Sequence, residues 1–440
     1  MLTEGDNHFT LSIAIEEIEA INNIENIIKS SGFLEKETHI PIIEANKNGV
    51  YDSNISIYVE NKSVVALSCR YCALTSLPES LGQLSSLQYL NVSGNHLTAL
   101  PDALGNLFHL RKLCVDDNQL TALPDSFRNL HNLSELHADH NQLTIFPANV
   151  CYLTNLEVLH LYGNHIETLP TNIRQLARLK DMSIGKNRFT RLPSSLWQLT
   201  NLQLLNISEN QFTFLDEDIG NLLNLQMLDL GHNEIDVLPL SLSKLTNLTH
   251  YLYLNNNLLV SLPSSLFKNL DRLKYLNITD NQLLALPETI GSLTALKVLR
   301  AHSNKLSFLP EAIGDLMQLE ELHLAMNKLA ELPKTLSKLQ HLKELDLSMN
   351  KLTTFPEALS NLTNLRYLDL RANKLIALPE SVGKLTNLRY LDLRANKLIA
   401  LPESVGNLPS LEKLDLRWNK ISHFPDSLQR LEKRGCTILI

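Results

Sequence analysis

Two sets of residues in this 440-residue chain are of types that do chemistry. The first is Cys69-Arg70-Tyr71-Cys72, a C-x-x-C spacing suited to thiol redox exchange or zinc. The second is spread along the chain: Cys114, His137 and His160 stand 23 residues apart. Thiol and imidazole donors brought side by side could hold a transition metal, which would make the chain a metal- or small-ligand-binding sensor. No phosphate loop of the GxxxxGK[ST] kind occurs, and no Ser, His and Asp set stands out from the background pattern. The expectation is therefore no enzyme, no catalytic residue, no resident metal and no cofactor.

The spacing of 23 runs through most of the chain. Asparagines recur at that interval from Asn95 to Asn233, take two steps of 24 to Asn257 and Asn281, and resume at 23 as far as Asn419. Counting back once from Asn95 reaches Cys72, which makes sixteen copies of L-x-x-L-x-L-x-x-N-x-L-x-x-L-P. Copies 365–387 and 388–410 differ at only three positions, the mark of a recent duplication. Leu368 and Leu370 alternate as in a strand, so Asp369 and Arg371 face the other way. The asparagine amide can satisfy backbone groups that a sharp turn buries. Proline follows a leucine or phenylalanine in fifteen copies, with Asp216 as the exception, and opens a short helical segment. One copy cannot bury its own leucines, so neighbours must stack.

This pattern resembles the leucine-rich-repeat family over residues 64–431, in the 23-residue Leu-Pro form of Ras-group-related intracellular and prokaryotic members. The resemblance implies an α/β solenoid, a curved horseshoe with a concave parallel sheet and short convex helical segments. It also implies a scaffold that binds another protein on the concave face. Bacterial ubiquitin-ligase effectors share such repeats beside a catalytic domain, and this chain ends nine residues after its last repeat leucine, at Ile440. Register also reassigns the reactive residues. Cys69 falls on a buried leucine position and Cys72 on the asparagine position, so both read as small core residues.

The outward strand positions carry the binding candidates. Tyr251, Tyr253, Tyr275, Val298 and Arg300, flanked by Met227, gather where the two 24-residue steps fall. His137, His160 and Tyr162 form a polar patch in the earlier copies. Arg371, Arg394 and Arg417, with Trp418, form one in the later copies. These arginines are expected to pair across strands with Asp346, Asp369, Asp392 and Asp415. Lys305, Lys328, Lys351, Lys374, Lys397 and Lys420 make a row roughly 25 Å long, a solvated edge or a surface for an anionic partner.

A stacked array exposes its core at both ends. Residues 1–63 read as a cap, with an amphipathic helix over 10–31 (Ile13, Ile18, Ile21, Ile24 and Ile28) and strands at 40–43 and 55–59. Residues 432–440 read as a closing strand whose free edge could pair with a second chain of an otherwise monomeric protein. Residues 1–63 carry 4 Lys/Arg against 11 Asp/Glu, and residues 248–440 carry 24 against 19. The net charge of −8 argues against a nucleic-acid partner. No apolar run is long enough for a transmembrane segment, and the first residues are not a classical secretory signal. The expected location is the cytoplasm, or a host cell if the chain is a bacterial effector acting on host proteins.

Overall fold

The computed structural model describes residues 13–35, 38–44 and 53–440. The chain divides into two compact units, up to Gln211 and from Phe212 onward. Residues 10–12 of the expected helix lie outside the described residues.

The first unit opens with an α-helix, Ile15–Ser30. It buries Ala20, Ile21, Ile24 and Ile28, spaced at helical intervals, while Ile18 is half-buried. Its polar groups tie it to the first repeat. Asn23 Nδ2 donates to Ser80 Oγ at 3.0 Å, and Ser31 Oγ to the Cys72 carbonyl at 2.8 Å. The buried Glu17 carboxylate accepts the Val64 N–H at 2.7 Å. Strand Ile42–Glu44 pairs parallel with Ile55–Glu60, which pairs antiparallel with Ser63–Cys69. From there the unit is a parallel stack of three-residue strands, one per copy, from Tyr89–Asn91 to Leu204–Asn206.

The second unit repeats the scheme from Met227–Asp229 to Lys413–Asp415. Helix Ser427–Lys433 comes next, and strand Thr437–Leu439 adds itself parallel to Lys413–Asp415. The expected helical segments are mostly five-residue 3-10 turns, most of them entered from a proline with extended backbone, as at Pro379 (φ −79°, ψ 159°). Asp216 replaces that proline by capping its turn, its side chain accepting the Asp218 N–H at 3.0 Å. These turns stack tightly: a Cβ on Gly314 would lie 2.4 Å from the Thr335 carbonyl oxygen.

The asparagines hold neighbouring copies together. Asn350 Oδ1 accepts the Leu329 N–H at 3.0 Å. Its Nδ2 lies 2.9 Å from Leu324 O, 3.1 Å from Leu347 O and 3.2 Å from Ser348 O. In most copies the residue before the asparagine is left-handed, with φ near +50°, as at Asp117, Met326, Ala372 and Trp418. That backbone ends the strand and aims the amide inward. Cys69 and Cys72 are both fully buried, and burial raises both thiol pKa values, that of Cys72 to about 12. A buried protonated thiol is neither a redox nucleophile nor a ready zinc ligand.

Candidate interaction surface

The surface at the start of the second unit is built from strand register. Met227, Tyr251, Tyr275 and Val298 occupy equivalent places on successive strands, and Asp229, Tyr253, Asn277 and Arg300 lie two residues on. Alternation turns the leucines between them inward and these side chains outward. The rings meet. Tyr251 and Tyr253 stack with centroids 5.7 Å apart. Tyr275 stands edge-on to Tyr251 at 5.5 Å and tilted against Tyr253 at 5.3 Å. The Arg300 guanidinium lies 5.9 Å from the Tyr275 ring centre. Burial raises the phenol pKa values of Tyr253 and Tyr275, so these two present neutral hydroxyls at physiological pH. Tyr251 remains 40% exposed. Met227 and Val298 are half-buried at the flanks.

In the first unit the Cys114, His137 and His160 column exists in register. It does not converge as a metal site. His137 Nε2 faces Glu135 at 3.4 Å and His160 Nε2 faces Asp181 at 3.2 Å, and the two rings meet edge to face at 4.8 Å. Burial, then Asp116, pushes the Cys114 thiol up to about 12, which keeps its proton in place. Burial and the neighbouring His160 charge lower the His137 pKa. For His160 burial acts in the same direction, but the Asp181 carboxylate outweighs it and the pKa rises. Asp116 and Asp139 serve the backbone: Asp116 Oδ1 accepts the Asp139 N–H at 2.9 Å, and Asp139 Oδ1 accepts the Tyr162 N–H at 2.6 Å. The Tyr162 hydroxyl is held by Glu209.

The expected cross-strand ladder of arginines and aspartates needs correction. Arg371, Arg394 and Arg417 pair chiefly within their own strands, with Asp369 at 3.3 Å, Asp392 at 2.7 Å and Asp415 at 2.6 Å. Among the described residues one bridge of this set crosses strands, Arg394 to Asp415 at 3.3 Å. A partner two residues along the same face lies within the reach of an arginine, so the nearer carboxylate wins. Trp418 stands 70% exposed, with the Arg417 guanidinium 5.5 Å from its ring centre. The six lysines from Lys305 to Lys420 are all exposed and, among the described residues, form no ion pair, although Lys305 Nζ donates to Gln282 Oε1 at 2.9 Å.

Sequence reasoning passed over Tyr367 and Tyr390, whose rings lie 6.2 Å apart above a cavity of about 150 Å³ lined also by Asp392, Arg394 and Asp415. The signal was present: both tyrosines hold the repeat position of Tyr251 and Tyr275.

Comparison with known proteins locates this architecture. A family model described as a leucine-rich repeat region matches residues 65–159 and 256–379. Two further leucine-rich-repeat models match 154–212 and 377–433, and 224–245. A search of curated protein sequences finds no match. Among solved structures, a leucine-rich-repeat protein of Leptospira interrogans is 32% identical with a TM-score of 0.70, covering 85% of this chain and 95% of that one. The plant peptide hormone receptor RGFR1, solved in complex with RGF2, is 28% identical with a TM-score of 0.64, covering 80% of this chain and 65% of that one. A chain of the Drosophila Toll–Spatzle complex shares the fold at 23% identity and a TM-score of 0.72, covering 89% of this chain and 54% of that one.

Proposed function

We propose that this chain, which belongs to the leucine-rich-repeat family, is a non-catalytic scaffold that binds another protein across the outward face of its strands. The Tyr251, Tyr253, Tyr275 and Arg300 cluster carries the reading. Flat rings bury much area for little lost side-chain entropy, and tyrosine and arginine dominate binding hot spots. The arginines of the later copies are already engaged by aspartates. We therefore place Arg371, Arg394, Arg417 and Trp418 at the rim of the contact on the second unit, and read His137, His160 and Tyr162 as a separate candidate patch on the first unit.

Among the described residues no helix is long and apolar enough to cross a membrane. The likeness to the Leptospira interrogans protein supports a bacterial source. In that setting we read the chain as a cytoplasmic protein or as an effector delivered to host proteins, which fractionation of infected cells would separate. Affinity purification from the protein's own cells, read by mass spectrometry, tests the binding role. The intact chain should retain a partner that a Tyr251/Tyr253/Tyr275 triple alanine variant loses while staying folded. A partner kept by that variant, but lost when the six lysines are reversed to glutamate, would move the site to the lysine edge.

A further inference from the structure

The same tripeptide occurs on two strands, one in each unit. Glu135-Leu136-His137 and Glu321-Leu322-His323 both turn glutamate and histidine outward, with His Nε2 at 3.4 Å and 3.2 Å from the glutamate oxygen. Their neighbours differ. Glu135 stands in register with Lys112, whose ammonium lies 2.6 Å from its carboxylate. Glu321 stands in register with Glu344, a like charge where the first site has a cation.

Among the described residues, neither Glu321 nor Glu344 forms an ion pair with lysine or arginine. Lys297 and Lys343, which precede the residues in register with Glu321 on its two neighbouring strands, both go to Glu320, at 3.1 Å and 2.5 Å. Arg300, in register with His323, is turned over the Tyr275 ring instead. Like charges directly opposed on neighbouring strands repel. Here two carboxylates and an imidazole share one spot: one ligand atom from each of Glu321, His323 and Glu344 lies within 4.8 Å of the others.

The donor set indicates what would relieve the repulsion. Bonds of about 2.0–2.2 Å to one nitrogen and two carboxylate oxygens suit zinc and similar divalent transition ions. Ligand atoms around such an ion stand about 3–3.5 Å apart by that bond length, so the three must draw together by roughly an ångström. Glu344 is exposed, so rotation of its side chain can close that gap with the backbone still. Three protein ligands leave a position open toward solvent, where water or a carboxylate from a bound protein could sit. We propose that Glu321, His323 and Glu344 form a divalent transition-metal site, beside the tyrosine cluster on the outward face of the second unit.

Zinc titration of the metal-free full-length protein by calorimetry tests this, with melting temperature as a second readout. The intact chain should bind one zinc and melt higher with it. Glu344→Lys recreates the neutralised arrangement already tolerated at Glu135, so it should fold and yet weaken zinc binding by more than about tenfold. His323→Asn should do the same, and His137→Asn should bind as the intact chain does. Zinc binding unchanged by Glu344→Lys and His323→Asn, binding lost in His137→Asn, or no binding by the intact chain would each overturn the assignment.

Discussion

The guanidinium of Arg300 lies 5.9 Å from the centre of the Tyr275 ring on the preceding strand. Its Nε is buried and has no hydrogen-bond partner among the described residues. Arg394, two residues past the position that matches Arg300 in register, is instead clamped by Asp392 and Asp415. A cation paired only with a ring keeps donors for a bound protein, whereas a clamped one has spent them. Arg300→Ala should therefore weaken partner binding by about 1–2 kcal/mol, in the range of a hot-spot residue. Arg394→Ala should change it by less than about 0.5 kcal/mol, as for a rim charge. Surface plasmon resonance with the purified partner checks the order, and the reverse order would contradict it.

Asn350→Ala should destabilise the protein by about 1–3 kcal/mol, because the Leu329 N–H and the carbonyls it serves lose their partner away from water. Lys351→Ala, at the adjacent exposed position, should have little effect. Urea unfolding of both variants measures the difference, and equal midpoints would refute the structural role of the amide.

Asp369 is only 1% exposed, and burial raises its carboxyl pKa to about 6 against the opposing Arg371 N–H. Between about pH 4 and 6 the folded protein keeps a proton that the unfolded chain has released. Stability from this group therefore falls as pH rises through that window and stays lower above it. Asp369→Asn should raise stability at pH 7.5 by on the order of 2 kcal/mol relative to its effect at pH 3.5. Melting curves at the two pH values decide this, and a variant hurt more at pH 7.5 than at pH 3.5 would contradict it.

Residues 1–63 are proposed as the cap of the first repeat, a role that the Asn23–Ser80 and Ser31–Cys72 bonds support. Deleting them should uncover apolar surface, including Val64 and Leu67, and cause aggregation. Light scattering and a thermal melt test it: a monomer with an unchanged melting temperature would make this segment a separate docking module.

The repeat frame was legible because a leucine at nearly every central strand position and an asparagine every 23 or 24 residues leave one consistent register. Leu368 and Asn373 are buried as that register requires. Three things were not legible. The left-handed residue before the asparagine is filled by Asp117, Met326, Ala372 or Trp418, so its type carries no signal. The depth of Asp369 depends on neighbouring rows closing over it, which a single strand's alternation cannot show. The Cys114, His137 and His160 column was right in register yet chemically misleading, since each histidine turns to its nearest carboxylate.

Protein binding at the tyrosine cluster is tested most directly by site-specific photo-crosslinking. A photoreactive phenylalanine analogue would replace Tyr253 in one form and Thr335, on the opposite turns, in another. In extracts of the protein's own cells, the Tyr253 form should give one discrete protein adduct that excess unlabelled intact chain abolishes and excess triple alanine variant does not. No adduct at Tyr253, or the same adduct from the Thr335 form, would contradict the account.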